Sequence, residues 1–388
     1  MLFRSSCLNN RKYDHISNFI MFDTNYDSSD LKACVEIPYH GEDHSITMKL
    51  FYGKFCDHVC LLFSPKVAPN TITLLGFVFE FVSFLLSFVY SKGLSQPQPG
   101  WVSILGGICL FFYQTCDNVD GRQARRTGSS SAIGQFFDHA VDAFVDVFEM
   151  LKLCAAFQFG ASLTTWVVAF SIAVGYYVAF WNQFVNNLMY LGWLNFCIEG
   201  LLIFATSQVA IGIKPELYKL GENTIFRIIV GSVTVITISY TFLYMFYGAF
   251  KDTKKMYSTV MSFLPVFTTT VLSILNIFFD KNVTSNIWFI FGTSLTVMYN
   301  TQRIVITHIC GRNPTRLFDW ATICYWFGIA AYMIPQLHQI KVYWLCYFIS
   351  IFSGMLIFDY QTLTNLSKGL KIPIFSIPQK AEDEKKTK

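Results

Sequence analysis

Charged residues are scarce in this chain of 388 residues. Asp, Glu, Lys and Arg make up only 14% of it, whereas 53% of the residues are hydrophobic and 18% are aromatic. Soluble domains contain about 25% charged residues, so the composition excludes a pair of ordinary soluble domains and indicates a membrane protein. The formal net charge is only +4, and the basic residues stand in short runs rather than in one block, which argues against nucleic-acid binding.

The chain also lacks paired cysteine motifs and a cleavable leader. Its 11 cysteines are scattered, mostly inside apolar stretches, and no CxxC pair occurs. They are predicted to pack as small apolar side chains rather than to form disulfides or a zinc site. Because the N-terminal segment has no continuous apolar core, the first membrane span is expected to act as the insertion signal.

About ten apolar segments are long enough to cross a bilayer. A hydrocarbon core of roughly 30 Å needs about 20 apolar residues in a helix, because irregular backbone cannot satisfy its hydrogen bonds in lipid. The sequence therefore predicts an all-α polytopic membrane protein with about ten transmembrane helices. The predicted spans are 72–90, 101–116, 133–157, 163–184, 191–211, 226–250, 260–279, 287–308, 320–334 and 343–360.

Basic residues are more frequent in one set of loops than in the other, and this asymmetry predicts the orientation. The richer set, which we assign to the cytosol, contains Arg122, Arg125, Arg126, Lys251, Lys254, Lys255, Arg312 and Arg316. Both termini then lie in the cytosol. Lys385 and Lys386, near the end of the sequence, resemble a dilysine retrieval signal. We expect an integral protein of the endoplasmic reticulum or the Golgi.

The most informative segment lies between the second and third predicted spans, in the cytosolic loop and its flanks. It follows the pattern D-x2-D-G-x2-A-R-x8-G-x3-D-x3-D. The fixed positions are Asp117, Asp120, Gly121, Ala124, Arg125, Gly134, Asp138 and Asp142. Residues three or four apart share one face of a helix. Two helices that meet along these faces would gather four carboxylates.

Four close carboxylates cannot all remain ionised unless cations neutralise them. Mg²⁺ and Mn²⁺ prefer oxygen ligands, and the absence of a His and Cys ligand set argues against zinc. We therefore predict Asp117, Asp120, Asp138 and Asp142 as ligands of one or, as we favour, two ions bridged by Asp117 and Asp138. Metals in such a site could neutralise a pyrophosphate during an in-line displacement.

The other residues of the pattern suit a substrate that contains phosphate. Arg125 could pair with phosphate oxygens. The small residues Gly121, Ala124 and Gly134 would let a nucleotide approach the helix backbone. His139 is the expected proton acceptor, with Asp142 as the alternative base. The non-catalytic alternative is a membrane transporter that has an acidic metal site.

These residues resemble the signature of the CDP-alcohol phosphatidyltransferase family. Other segments are similar to its eukaryotic cholinephosphotransferase and ethanolaminephosphotransferase branch: 39–45, 68–73, 125–139, 300–304 with His308, and 370–375. The resemblance implies transfer of phosphocholine or phosphoethanolamine from CDP-choline or CDP-ethanolamine to the 3-hydroxyl of diacylglycerol, with release of CMP. It further implies two divalent metals on the aspartates, Asn70 and Arg125 as contacts of the CDP-alcohol, and a possible homodimer.

The resemblance also implies a division of the chain. We expect a cytosolic interfacial segment at 1–65, a six-helix catalytic membrane core at 66–250, additional transmembrane helices at 251–362 and a cytosolic tail at 363–388. The rival enzyme is a phosphatidyltransferase that uses CDP-diacylglycerol, for example in inositol lipid synthesis. Such enzymes share the signature but are typically shorter, with six spans, so the four additional spans favour the first activity.

Three polar positions are left open by these patterns. Gln135 stands where the branch usually has Glu, which keeps hydrogen bonding but removes a negative charge near the expected donor. Glu199 either holds a cationic headgroup together with Trp181 and Trp193 or makes a polar contact between helices. Glu80 is expected to pack against a polar neighbour in the membrane, because an unpaired carboxylate is costly there.

Overall fold

Helices form nearly all of the regular structure. The computed structural model describes residues 21–37, 41–192, 196–250 and 256–378. The features predicted at Tyr39, Trp193, 251–255 and the dilysine pair lie outside these residues. The all-α polytopic architecture predicted from composition is confirmed.

Thirteen α-helices are found in the part of the chain that is described. They are α1 Ser28–Glu36, α2 Gly53–Leu62, α3 Pro69–Tyr90, α4 Gly100–Thr127, α5 Ala132–Ala156, α6 Leu163–Asn186, α7 Leu201–Ile213, α8 Thr224–Phe250, α9 Met256–Phe279, α10 Ile287–Ile309, α11 Trp320–Ala331, α12 Pro335–His338 and α13 Tyr343–Leu370. Two short strands, β1 Gly41–Asp43 and β2 Met189–Leu191, pair in parallel, with Gly41 opposite Met189. Short 3₁₀ segments occur at Pro215–Glu222, Val283–Ser285 and Pro314–Leu317, and π-helical turns at Met48–Tyr52 and Phe196–Gly200.

A helix lies at each of the ten predicted spans, although the bounds differ. Among the described residues, α3, α6, α9 and α13 are long and apolar enough to cross a membrane, and a fifth span results if Cys197–Ile213 and Pro215–Glu222, bent by 113°, count as one. The total of ten spans therefore stays a prediction. The fifth predicted span begins later than expected, because β2 and the π-helical turn precede α7. The last helix reaches Leu370, so the predicted tail boundary at 363 falls inside it.

Apolar side chains are exposed along the segment that leads into α2. Leu50 and Phe51 in the π-helical turn are 70% and 58% exposed, and Leu61 and Leu62 at the end of α2 are 67% and 83% exposed. A helical segment with such a face can lie in the membrane interface. This supports the interfacial placement of 1–65, which stays a prediction.

Small residues allow α4 and α7 to pack backbone against backbone. A Cβ atom added at Gly107 would lie 2.4 Å from the carbonyl oxygen of Ala205, and one added at Gly100 would lie 2.6 Å from that of Gly212. Helices in membranes commonly associate through such small residues. The close approach fixes α4, which carries the first half of the acidic pattern.

A cluster of buried charges joins α3, α4, α5 and α7. Its residues in α5 come after the acidic pattern in the sequence. The Lys152 Nζ atom of α5 donates hydrogen bonds to Glu80 Oε1 of α3 at 2.6 Å and to the Gly106 carbonyl of α4 at 3.2 Å, and it lies 3.0 Å from Glu149 Oε2. Gln208 of α7 donates to the other oxygen of Glu149 at 2.5 Å. The side chains of Lys152, Glu80 and Glu149 are fully buried. Glu80 thus packs against polar neighbours, as expected.

Replacing Lys152 tests how strongly this cluster holds the helices together. We expect Lys152→Met to lower the free energy of unfolding by about 3–5 kcal/mol, because it leaves carboxylates buried without their cation. The double variant Glu80→Gln/Lys152→Met should recover part of this loss, since it also removes one negative charge. Thermal unfolding of the purified protein in detergent measures both effects, and an unchanged melting temperature for Lys152→Met would contradict the expectation.

Candidate active site

Three carboxylates from two helices meet at the site. Asp117 and Asp120 of α4 and Asp138 of α5 each present one oxygen, and the three oxygens lie within 4.8 Å of one another. An ion held by carboxylates lies about 2.0–2.6 Å from each oxygen. One divalent cation could therefore contact all three residues without a large rearrangement. We call Asp117, Asp120 and Asp138 the carboxylate triad.

The turn between α4 and α5 brings the two acidic faces together. Gly128 ends α4 in the left-handed region, with φ of 68°, a conformation that glycine adopts without steric cost. Ser131 then caps α5, because its hydroxyl accepts a hydrogen bond from the Gly134 amide at 3.1 Å. A four-residue connection, 128–131, thus reverses the chain and places the first turn of α5 beside the last turns of α4.

Hydroxyl groups donate to the acidic residues around the triad. Thr73 of α3 donates to Asp120. Asp142 lies one turn further along α5 than Asp138, and its two oxygens accept hydrogen bonds from Tyr113 and, at 3.2 Å, from Tyr176. The structure therefore gathers three of the four predicted metal ligands. Asp142 instead accepts hydrogen bonds from two tyrosines, and the role of Asp142 as a metal ligand stays a prediction.

A cavity of about 880 Å³ opens beside the triad. Every residue predicted to bind substrate lines it, as do the triad and His139: Asn70, Asp117, Asp120, Gly121, Ala124, Arg125, Gly134, Gln135, Asp138 and His139. Asp142 is not part of this lining. Residues separated by up to about 70 positions in the sequence thus surround one space, which is large enough for a nucleotide-sized ligand.

The glycines of the pattern leave room in the cavity rather than between helices. A Cβ atom added at Gly121 would meet only the Arg125 guanidinium, at 3.5 Å, and one added at Gly134 would come no closer than 3.4 Å to Asn70. These are ordinary or nearly ordinary contacts, unlike the 2.4 Å clash at Gly107. The protein's own packing therefore does not require glycine at 121 or 134, which supports a role for both in ligand binding.

His139 faces the cavity from the first half of α5. Its Nε2 atom lies 3.9 Å from Asp138 Oδ2, and its ring packs edge-to-face on Phe180 with centroids 4.6 Å apart. The side chain is 11% exposed. The ring is thus held next to the triad and keeps access to the cavity.

The three arginines of the pattern have different surroundings. Arg125 is exposed at the cavity. Arg122 donates to Asp57 of α2 at 2.7 Å, and Arg126 donates to the carbonyl oxygens of Cys60 and Phe63. Arg122 and Arg126 therefore attach α2 to α4, and Arg125 is the arginine best placed to meet a phosphate in the cavity.

Glu199 makes polar contacts between two elements of the chain. Glu199 accepts hydrogen bonds from the hydroxyls of Ser45 at 2.5 Å and Thr47 at 2.8 Å, which connects the segment after β1 to the turn before α7. Trp181 is fully buried and packs on Phe263. Of the two interpretations of Glu199, the contact between elements is the one that the structure shows.

Sequence reasoning did not place two segments at the cavity. Glu42 and Asp43 of β1 line it, and so do residues between 372 and 378, after α13. The only signals in the sequence were the segments 39–45 and 370–375, whose resemblance to the branch gave no role to individual residues. Their positions depend on pairing with β2 and on contacts with α3, which no local pattern reveals.

A larger side chain at Gly121 should block the cavity without disturbing the helices. We expect Gly121→Val to weaken binding of a nucleotide, with CMP as the probe, by on the order of tenfold or more, because the added methyl groups occupy ligand space. Its melting temperature should stay near that of the wild type, whereas Gly107→Val, which meets backbone, should unfold at a clearly lower temperature. Calorimetric titration and thermal unfolding measure the two effects. Unchanged affinity in Gly121→Val would show that no ligand approaches this helix.

Comparison with known proteins agrees with the site. Residues 66–194 match the model of the CDP-alcohol phosphatidyltransferase family. Choline/ethanolaminephosphotransferase 1 of Arabidopsis thaliana is 36% identical over 53% of this chain and 54% of its own length, and choline/ethanolaminephosphotransferase 2 of the same plant is 39% identical over 42% of each. The uncharacterized CDP-alcohol phosphatidyltransferase class-I family protein 2 of Dictyostelium discoideum is 26% identical over 88% of this chain and 85% of its own.

The family match and the two Arabidopsis relatives cover only part of the chain. The chain spans about half the length of the two Arabidopsis relatives in the aligned regions. The family match contains the carboxylate triad and ends at 194, so the predicted core boundary at 250 stays a prediction. The spacing of the acidic pattern, the family match and the named relatives agree. Residues 66–194, which contain the carboxylate triad, are thus similar to the CDP-alcohol phosphatidyltransferase family.

Proposed function

We propose that the protein transfers phosphocholine, phosphoethanolamine or both from CDP-choline or CDP-ethanolamine to the 3-hydroxyl of diacylglycerol. The products are CMP and phosphatidylcholine or phosphatidylethanolamine. The observation that carries this proposal is the carboxylate triad in a cavity lined by all of the predicted donor contacts. The names of the two Arabidopsis relatives support the choice of donor.

The donor atoms of the triad fit a hard divalent cation. All three are carboxylate oxygens, the ligands that Mg²⁺ and Mn²⁺ prefer, and they lie within 4.8 Å of one another, so a small movement would bring them onto one ion. We propose two ions, with Asp142 completing the ligand set. Bound there, they would neutralise negative charge on the pyrophosphate of the donor. The chain supplies one further cation, because Arg125 lies at the same cavity and can pair with phosphate oxygens.

The residues of the cavity then orient the two substrates. The acceptor hydroxyl oxygen forms a bond to the β-phosphorus of the donor, and the bond from that phosphorus to the oxygen bridging the two phosphates breaks. CMP leaves with the electrons of the broken bond. The hydroxyl proton passes to His139, whose ring lies beside Asp138 and lines the cavity.

His139 is favoured over Asp142 as the base. The oxygens of Asp142 already accept hydrogen bonds from Tyr113 and Tyr176, and this residue does not line the cavity. A carboxylate that also holds a metal is a weak base. The imidazole of His139 lies beside Asp138 at the cavity and has a ring nitrogen that can accept a proton, so it suits proton transfer better.

Two rival activities remain distinguishable. A phosphatidyltransferase that uses CDP-diacylglycerol would share the triad, but the described helices beyond residue 250, α9–α13, support the longer branch. A transporter with an acidic metal site would bind the cation without cleaving a donor. The headgroup preference of the proposed enzyme depends on the region around Gln135, which lines the cavity.

The same proposal includes a cellular setting. We propose that the protein resides in the endoplasmic reticulum or the Golgi, with the cavity open to the cytosol. The basic residues near the cavity support this orientation, because cytosolic loops carry an excess of Lys and Arg. Membrane lipids surround the helices and supply the acceptor, and the family resemblance supports a homodimer.

The decisive experiment measures CMP release. We expect purified wild-type protein to release CMP from CDP-choline or CDP-ethanolamine when diacylglycerol and Mg²⁺ or Mn²⁺ are present. Asp138→Ala should reduce the rate to background, because it removes one oxygen ligand from the triad. CDP-diacylglycerol with inositol serves as the rival donor and acceptor in a parallel assay.

A matched control separates this effect from a general loss of an acid. Glu216 is exposed in the 3₁₀ segment after α7, and Glu216→Ala should retain the wild-type rate. Equal activity of wild type and Asp138→Ala would overturn the mechanism. Metal binding without CMP release from any donor would favour the transporter.

His139→Ala tests the assignment of the base. We expect this variant to bind the donor and the metal normally but to lose about 10²–10⁴-fold in turnover, the usual contribution of a general base. Single-turnover kinetics together with a binding titration separate the two properties. A near-normal rate would move the role to Asp142 or to a water molecule.

A further inference from the structure

The segment after the C-cap of α13, residues 372–378, runs along the donor cavity, and we call it the C-terminal strap. Lys371 ends α13 with φ of 57°, in the left-handed region, and turns the chain away from the helix axis. The Ser367 hydroxyl then donates a hydrogen bond to the Ile372 carbonyl oxygen at 2.7 Å. The start of the strap is therefore fixed relative to the helix.

Most of the strap contributes to the cavity wall. The lining residues are Ile372, Pro373, Ile374, Ser376 and Pro378. Two of these are prolines, which have fixed φ angles and no amide N–H. The strap can therefore keep an extended course without forming a helix or strand of its own.

One hydrogen bond joins the strap to a predicted donor contact. The Asn70 Nδ2 atom, in the first turn of α3, donates to the Ile374 carbonyl oxygen at 2.8 Å, across 304 positions of the sequence. This bond defines which way the amide of Asn70 points, because only its nitrogen can donate. The Asn70 Oδ1 atom then lies toward Gly134, 3.4 Å from where a Cβ atom of that glycine would be.

A second contact fixes the strap next to the carboxylate triad. The Phe375 ring meets the Phe137 ring edge-to-face, with centroids 5.4 Å apart and an interplanar angle of 89°. Phe137 directly precedes Asp138 in α5. The strap therefore touches both α3 and α5, the two helices that carry Asn70, Gly134 and Asp138.

We propose that the C-terminal strap is a wall of the donor site and positions Asn70 for the CDP-alcohol. The inference rests on the proposed function, since it assigns the strap to the donor of that reaction. The strap fixes the Asn70 amide through the Ile374 carbonyl and encloses the cavity beside it. The binding of the CDP-alcohol therefore depends on the strap. The binding of diacylglycerol does not depend on it, because this substrate reaches the site from the bilayer.

Two truncated proteins test this assignment. A chain that ends at Lys371 lacks the strap and the residues after it, whereas a chain that ends at Pro378 keeps the strap and is the matched control. We expect the shorter chain to show a roughly tenfold higher KM for the CDP-alcohol, the effect of losing one positioning hydrogen bond and its wall. The KM for diacylglycerol should stay the same, and the control should keep both wild-type values.

A point variant covers the case in which the shorter chain does not fold. Phe375→Ala removes the contact with Phe137, and we expect about a fivefold higher KM for the donor, in line with the strength of an aromatic pair. The control is Phe278→Ala, because Phe278 of α9 is 78% exposed and lies outside the cavity lining. Melting temperatures of all variants identify losses caused by unfolding.

Binding of CMP supplies a readout that does not require turnover. Calorimetric titration with CMP and Mg²⁺ should show weaker binding in the Lys371 truncation and in Phe375→Ala than in their controls. Folded variants with the donor KM and CMP affinity of their controls would overturn the role of the strap. Failure of the wild type to cleave either CDP-alcohol would instead overturn the proposed function, and the CMP titration would still decide whether the strap belongs to a nucleotide site.

Discussion

The repulsion among closely spaced carboxylates constrains how α3, α4 and α5 meet. Asp117, Asp120 and Asp138 present oxygens within 4.8 Å of one another inside a largely apolar helical bundle. Like charges repel strongly where little water surrounds them, so hydrogen-bond donors, a cation or protonation must offset the repulsion within the triad. Thr73 supplies a hydroxyl to Asp120. If a divalent ion binds the triad, its binding should also stabilise the folding of this region.

Helical periodicity predicted much of this arrangement. The three- and four-residue spacing of the acids in the pattern predicted which residues share a face, and the turn at 128–131 brings those faces together. Apolar segments of about 20 residues predicted the helices. These features follow from local rules, since a helix face is set by its own sequence. For that reason, Asp117, Asp120, Asp138 and the glycines were identifiable before the fold was known.

Contacts between distant segments could not be predicted in the same way. The partners of Asp142 are Tyr113 and Tyr176, which lie 29 and 34 positions away on different helices. Glu199 follows aromatic residues in the sequence, yet it accepts hydrogen bonds from Ser45 and Thr47. Such pairings depend on the rotation and crossing angle of packed helices. The apolar surface of a helix gives little indication of either. Lys152 joins Glu80 across 72 positions for the same reason.

The parallel pairing of β1 with β2 has a consequence for the synthesis of the chain. Two three-residue strands are not stable by themselves, and residues 41–43 leave the ribosome well before 189–191. The early segment therefore stays unpaired until residues 189–191, which follow α6, have been made. The bond between Asn70 and Ile374 requires a longer delay, because residue 374 follows α13. When synthesis has reached residue 194, the end of the family match, the chain still lacks the strap residues that line one side of the cavity.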